Sequence, residues 1–316
     1  MKWLLTGGAG YIGSHVSRSL LASGREVVVL DDLSTGLAER VPDGVALEQG
    51  SVCDGSFVTS VMRRHGIDGV IHLAAKKAVE ESVAKPLWYF RENVGGILTV
   101  LESMVETGAS RIVYSSSAAV YGHAEVMPVT EDSPTVPISP YGETKIIGEW
   151  AVADAAQASG LSWVALRYFN VAGAGSPDLG DTSVANLIPI LLRNAAGGAP
   201  ANVFGSDYPT PDGTCVRDYI HVSDLAEAHV AAAALIEEGS VREIVNVGTG
   251  RGSSVLEVID SVNRALGRQM PVEIAERRPG DPPALVASAA KAREVLRWKA
   301  IRELDEMTSS ALEAVT

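Results

Sequence analysis

Cysteine is scarce in this chain of 316 residues: Cys53 and Cys215 stand far apart and in no metal-ligand spacing. That excludes a disulfide framework and a zinc site of the usual kind. The six histidines are scattered, and none forms an H-E-x-x-H pattern. Positive charge is also in deficit, 26 Lys and Arg against 39 Asp and Glu, for a formal net charge of −13. A nucleic-acid backbone is repelled on average, so nucleic acid is not expected as a partner. A local basic pocket for a small phosphorylated ligand stays open. No stretch reaches the length of about 20 apolar residues that spans a bilayer. No charged segment precedes a signal-length apolar run either, so a cytoplasmic protein without membrane attachment is expected.

What is present is apolar material, 46% of residues, enough for one large domain or two modest ones. Thirty-one glycines against four phenylalanines imply tight turns and close backbone approaches. The first half alternates short β-branched runs with helical patterns, which predicts an α/β fold with a doubly wound parallel sheet. Strands are expected at Lys2–Thr6, Glu26–Asp31, Val45–Glu48, Gly69–Leu73, Arg111–Ser115 and Ser162–Arg167. Helices are expected at Tyr11–Ser23, Phe57–His65, Leu87–Glu106 and Pro140–Ala158. After Asn170 the texture changes to a loop rich in Gly, Ser, Pro and Asp. The expected division is a dinucleotide-binding domain over 1–169 and a smaller α/β substrate lobe over 170–316. Within the lobe, 215–250 returns in part to the main sheet through the β-type run Ile244–Val247.

Thr6-Gly7-Gly8-Ala9-Gly10-Tyr11-Ile12-Gly13 joins the first strand to the first helix. Gly7, Gly10 and Gly13 permit a tight turn and bring backbone N–H groups and the helix amino terminus toward a pyrophosphate. Glycine-rich turns are common, but an acid also ends the next strand. Asp31, with Asp32 beside it, lies 18 residues after Gly13, near the spacing of a ribose-hydroxyl partner. Its charge would repel a 2′-phosphate, which favours NAD over NADP.

Pro140-Tyr141-Gly142-Glu143-Thr144-Lys145 opens a helix, with Tyr141 and Lys145 four apart on one face. A nearby ammonium stabilises a phenolate, so Lys145 is expected to lower the Tyr141 pKa and make it a general base. The fifth strand ends in Ser115-Ser116-Ser117-Ala118-Ala119-Val120-Tyr121-Gly122. Strand carboxyl ends line the crevice of a doubly wound sheet, so these hydroxyls face the glycine loop. Ordinary strand-end capping explains Ser115 and Ser116 equally well.

These motifs resemble the extended short-chain dehydrogenase/reductases. Ala78-Val79-Glu80-Glu81-Ser82, Leu166-Arg167-Tyr168-Phe169-Asn170 and Tyr208 through Val222 are similar, more narrowly, to the UDP-glucose 4-epimerase family. The resemblance runs along nearly the whole chain. It implies reversible C4 epimerisation of a UDP-hexose through a transient 4-keto sugar with bound NAD, in a homodimer. Tyr141 would take the 4-hydroxyl proton, helped by Ser117, and Lys145 would hold the cofactor ribose. By the same resemblance Tyr11, Ile12, Ser51, Val52, Leu73, Ala74, Ala75, Lys77, Asn93, Ser115 and Tyr168 contact the cofactor. Lys77, Asn170, Asn186, Leu187, Val203, Phe204 and Asp281 contact the nucleotide sugar, and Arg217 and Arg278 clamp its diphosphate.

The sequence departs from the family pattern at four places. Ser51 stands where relatives carry an aspartate at the adenine, Ala119 where they carry threonine, and Ser288 where aspartate is frequent. Leu285 stands where some members place a tyrosine, which implies room for an N-acetyl group at C2. A nucleotide-sugar dehydratase would need a proton-transferring pair where Ala118 and Ala119 stand. A UDP-glucuronate 4-epimerase would need a further site for a carboxylate. A non-catalytic NAD sensor would be expected to lack the Tyr–Lys pair. The apolar residues of the helices near Leu87–Glu106 and Pro140–Ala158 fit a dimer interface and simple core packing alike.

Overall fold

The computed structural model describes residues 1–183, 185–278 and 280–315. Its strands are β1 (Lys2–Thr6), β2 (Glu26–Asp31), β3 (Ala46–Gln49), β4 (Gly69–His72), β5 (Arg111–Ser117), β6 (Ser162–Tyr168), β7 (Asn170–Ala172), β8 (Ala201–Phe204), β9 (Val216–His221), β10 (Arg242–Val247), β11 (Gly252–Ser254), β12 (Val272–Ala275) and β13 (Ala284–Leu285). The helices that position the site are α1 (Tyr11–Ala22), α2 (Gly55–His65), α3 (Val79–Ala84), α4 (Pro86–Tyr89), α5 (Gly95–Thr107), α6 (Pro140–Ser159), α7 (Leu187–Gly197) and α8 (Val222–Glu238).

Seven strands form one sheet in the order β10-β6-β5-β4-β1-β2-β3. Every pairing in it is parallel. This is the doubly wound α/β sheet expected from the alternating pattern. Side chains on each strand point alternately to the two faces. Trp3 and Leu5 pack on the α1 and α8 side with Val16, Leu20 and Leu225, while Leu4 packs on the other with Val61, Ile97 and Val152. Each fully buried Leu contributes about 2 kcal/mol, so the sheet is a rigid base for what its edge carries.

The winding reverses between β1 and β4, and ligands bind beyond the strand ends at such a switch point. Segment 215–250 is divided between layers. β10 pairs with β6 in the main sheet, whereas β9 joins β7, β11 and β13 in a smaller one. β8 and β12 form a separate parallel pair, and a third core of Ile188, Leu191, Val203, Val258 and Ile259 fills this lobe.

Two expected elements differ. β5 runs two residues further than the β-branched run, through Ser117. The helix expected over Leu87–Glu106 is divided into α4, a π-helical turn at Phe90–Val94, and α5. The π turn carries Asn93, whose amide explains the break. It accepts from Lys76 N at 2.8 Å and donates to Lys76 O and Thr144 Oγ1, both at 3.0 Å. One extra residue in the turn aims this side chain at two other segments. No described helix is long and apolar enough to cross a membrane.

Candidate functional site

The glycine loop is shaped by contacts that side chains would prevent. Gly7 has φ +73°, and a Cβ there would lie 2.8 Å from Ala74 N. A Cβ on Gly13 would meet Gly7 O at 2.1 Å. The loop therefore lies flat against the end of β4, between the β1 and β4 strand ends. α1 begins at Gly10 with no side-chain cap, which leaves its first N–H groups to an anion. Asp31 sits beside this loop, its carboxylate accepting from Ala9 N at 3.0 Å and Leu33 N at 2.9 Å. Each oxygen keeps further lone pairs for a hydroxyl donor. Burial pushes the Asp31 carboxyl up, while the two backbone donors oppose it. Asp32 instead caps its own turn, accepting from Ser34, and Lys76 donates to the same Ser34 at 2.9 Å. This cradle fits a dinucleotide: an uncapped helix end for phosphate and a buried acid for a ribose.

Tyr141 is placed by the start of α6. Ser139 caps it, accepting from Gly142 N at 3.2 Å, and Pro140 occupies the first turn. Tyr141, Lys145 and Glu149 follow at intervals of four along one face. The Lys145 ammonium donates to Ser115 O at 2.8 Å and lies 5.9 Å from the Tyr141 ring centre. Burial pushes the phenol up, and the group that pulls it down is the hydrogen-bonded Ser117 hydroxyl. Burial also brings Lys145 down to about 8, against the Glu149 carboxylate, which raises it.

The three serines diverge. Ser117 faces Tyr141, Ser116 donates to the Glu149 carboxylate, and Ser115 Oγ lies 3.2 Å from His229 Nε2. Ser115 thus offers its carbonyl to Lys145 and its hydroxyl to α8. Tyr168 ends β6, with its ring centre 6.3 Å from that of His229. Tyr11 donates to Gly173 O at 2.5 Å, and the Ser51 hydroxyl accepts from Cys53 N at 3.1 Å. Ile12, Val52, Leu73, Ala74 and Ala75 are half-buried. Asn93 spends both its N–H groups on Lys76 O and Thr144 Oγ1 and accepts from Lys76 N, so its side chain clips the site together.

Across the cleft, Asp281 lies between Arg217 and Arg278, at 3.6 and 2.9 Å. Arg217 also donates to Pro282 O at 2.8 Å, and Arg278 stacks 4.9 Å over Phe204. Two guanidiniums converging on one carboxylate suit a dianion. Phe204 keeps 39% exposure and an open face, but Val203 is 1% exposed and packs in the lobe core. Its side chain is therefore not the base contact expected of it, because β8 alternates and turns Val203 inward. Asn186 donates to Asp181 at 2.9 Å just before α7, which starts at the half-buried Leu187, and Asn170 is exposed on β7. Lys77 reaches Ser183 Oγ at 3.0 Å.

Sequence reasoning missed a buried network behind the site. Glu149 takes Arg167 through two hydrogen bonds, at 2.8 and 2.6 Å, with both side chains 3% exposed or less. Arg167 continues to Tyr121 at 3.0 Å, and Tyr121 to Asn246 at 2.6 Å. The spacing of Glu149 from Lys145 was the available signal, since it repeats the Tyr141–Lys145 interval.

A parallel sheet with this loop, this acid and a Tyr–Lys–Ser cluster defines a dinucleotide-dependent enzyme of the short-chain type. The model of the NAD dependent epimerase/dehydratase family matches residues 3–248. A UDP-glucose 4-epimerase of Azospirillum brasilense is 47% identical over 98% of this chain and 90% of its own. The crystal structure of a Brucella ovis UDP-glucose 4-epimerase in complex with NAD superposes with TM-score 0.95 at 43% identity, covering 98% of this chain and 97% of that one. One from Bifidobacterium longum, in complex with NAD+ and UDP, gives 0.93 at 40% identity over 99% and 98%. The chain belongs to the NAD-dependent epimerase/dehydratase family, in its UDP-glucose 4-epimerase branch.

Proposed function

We propose that this protein interconverts UDP-galactose and UDP-glucose by inverting C4, with NAD as a retained cofactor. The observation that carries the reading is the meeting of Tyr141, Ser117 and Lys145 at the sheet edge, opposite the glycine loop and Asp31. NAD, when bound, accepts and returns two electrons at C4 and brings a positive charge beside the phenol. Tyr141 takes the proton of the 4-hydroxyl as C4 becomes a carbonyl, and gives it back on the return. Ser117 holds O4 and stabilises the Tyr141 phenolate. Lys145 orients the cofactor ribose from its seat on Ser115 O. Arg217 and Arg278 leave Asp281 for the diphosphate, a task suited to planar guanidiniums. Phe204 stacks the uracil, and Asn170, Asn186, Leu187 and Lys77 border the nucleotide sugar.

Leu285 packs with Ala118, Phe169 and Ala287 in an apolar cluster, with no tyrosine hydroxyl at that position. N-acetylated hexoses fit the same reading. The protein is further proposed to be a cytoplasmic homodimer. Leu87, Leu98, Val105 and Trp150 expose 78, 45, 55 and 59% of their area on α4, α5 and α6, a surface that a second copy would cover. Sedimentation at micromolar concentration should give twice the chain mass, and a monomer there removes the dimer.

The test of function is incubation of the purified protein with UDP-galactose, without added NAD, followed by product analysis. UDP-glucose should accumulate, and UDP-GlcNAc should likewise yield UDP-GalNAc. No conversion of UDP-galactose even with NAD supplied would overturn the assignment.

A further inference from the structure

Lys76 and Lys77 are adjacent, yet their ammonium groups go to different sites. Lys76 donates to Ser34 Oγ at 2.9 Å, beside Asp32 on the dinucleotide side. Lys77 donates to Ser183 Oγ at 3.0 Å, and Ser183 shares the Asp181 carboxylate with Asn186 on the nucleotide-sugar side. We propose that the Tyr89 hydroxyl, together with Asn93 on the same helical element, fixes the peptides on either side of Lys77 and so aims its ammonium at the diphosphate of the nucleotide sugar. Tyr89 is then a positioning residue for substrate binding, and the inference deepens the function proposed above, on which it rests.

Residues 73–78 run from β4 to α3 without regular structure, so their backbone polar groups need partners from elsewhere. The peptide between Lys76 and Lys77 offers its carbonyl to Asn93 Nδ2 at 3.0 Å. The peptide between Lys77 and Ala78 donates its N–H to Tyr89 Oη, also at 3.0 Å. The two planes that bracket the Lys77 Cα are thus each tied to a side chain. With both planes held, the two soft torsions of Lys77 are fixed, and so is the direction in which its side chain leaves the backbone. Both anchors are buried, Tyr89 at 0% exposure and Asn93 at 4%. Asn93 also donates to Thr144 Oγ1, the neighbour of Lys145, which ties the frame to α6.

The Tyr89 hydroxyl is used in full. The Ala78 N–H only donates, so Oη accepts there and spends its hydrogen on Glu81 Oε2, 3.1 Å away. Burial, with the Glu81 carboxylate beside it, pushes the phenol up to about 12, so the hydrogen stays on Oη near neutral pH. Glu81 is held in turn by Lys85 at 3.0 Å. Phenylalanine at position 89 would fill the same space and lose only these two bonds. The target of Lys77 follows from its surroundings. Glu80, at the start of α3, lies 3.9 Å from Arg278, so this end of α3 meets the Arg217–Arg278 pair. A third cation held near two guanidiniums suits a dianion.

The first test needs no substrate, so its failure is distinct from failure of the proposed reaction. Amide hydrogen exchange should find the Ala78 N–H protected, and Tyr89→Phe should speed its exchange about tenfold while the amides of α5 and β5 keep their rates. An Ala78 amide unchanged by the substitution, or a speeding spread evenly over α5 and β5, would overturn the frame. The second test measures UDP binding by calorimetry and turnover of UDP-galactose, both on the NAD-loaded protein. Tyr89→Phe should weaken UDP binding and raise KM about fivefold to tenfold, with kcat within about twofold. Glu81→Ala should move both in the same direction by less. In a Lys77→Met background, where the ammonium is already gone, Tyr89→Phe should cost little more. Equal costs in both backgrounds, or a fall in kcat with KM unchanged, would overturn the positioning role and leave Tyr89 a packing residue. UDP failing to bind the unaltered protein would overturn the proposed function and with it the task of Lys77, while the exchange result still decides the frame. Should Tyr89→Phe not fold, Glu81→Ala decides the same comparisons.

Discussion

The Tyr141 phenol starts from an unfavourable position for a base. Burial raises it, and a single side-chain hydroxyl, that of Ser117, acts the other way. Tyr141→Phe should lower kcat by about 10³-fold, within the range for losing a general acid–base. Its fold should survive, since one hydrogen bond is worth about 1 kcal/mol. Progress curves and thermal denaturation on the same sample check both halves. Ser117→Ala has a signed pH consequence. Removing the hydrogen bond that lowers Tyr141 moves its ionisation to higher pH, so the rising limb of the kcat profile should shift upward. An unshifted limb would remove Ser117 from the control of Tyr141. At this scale the motif residues were legible because chemistry fixes their letters and spacing. The pairing of Arg167 with Glu149 and of His229 with Ser115 was not, because a buried polar contact is recognisable only once the chain has brought both partners together.

α6 carries Tyr141 and Lys145, and its seating on β5 sets where both point. Gly148 makes that seating possible: a Cβ there would stand 2.0 Å from Tyr114 Oη and 2.5 Å from its Cζ. Gly148→Ala should therefore push the helix outward, costing about 1–3 kcal/mol by overpacking. It should also lower kcat disproportionately, because both active residues ride on the displaced element. Combining it with Tyr114→Phe, which removes the nearer atom, should restore part of each. Chemical denaturation and kcat on the single and double variants check this, and a Gly148→Ala protein with full activity would contradict it. Most strands were readable as β-branched runs between turns. The division of the expected helix at Phe90–Val94 was not, because both halves carry helical letters. The break is set by where Lys76 and Thr144 wait for Asn93. Val203 was misread for a related reason: the motif named the strand, but only the sheet decides which way its alternate residues face.

The whole molecule buries four imidazoles in neutral form. Burial brings His15, His221 and His229 down to about 4 and His72 to about 3. Below about 6.5 the unfolded chain takes up protons first, so stability is full above that pH and falls as pH drops toward 4. Each ring contributes up to about 1.4 kcal/mol per pH unit in that window. Urea midpoints should decline steeply between pH 6.5 and 5, with a slope approaching four protons. A flat profile there would mean that these rings are hydrated in the native state. The class of fold was the most legible feature, since strand–helix alternation, the glycine loop and Asp31 agree. The layering of 215–250 was less so, because β9 and β10 read alike and only their neighbours separate them. The central claim is that hydrogen leaves C4 and returns to C4 within one closed site. The most direct measurement uses UDP-galactose carrying deuterium at C4, converted in ordinary water, with the UDP-glucose product examined by mass and NMR. Full retention of deuterium at C4, lost as a reaction in Tyr141→Phe, is the predicted result. Exchange of that deuterium with solvent, or its appearance at another carbon, would contradict the account.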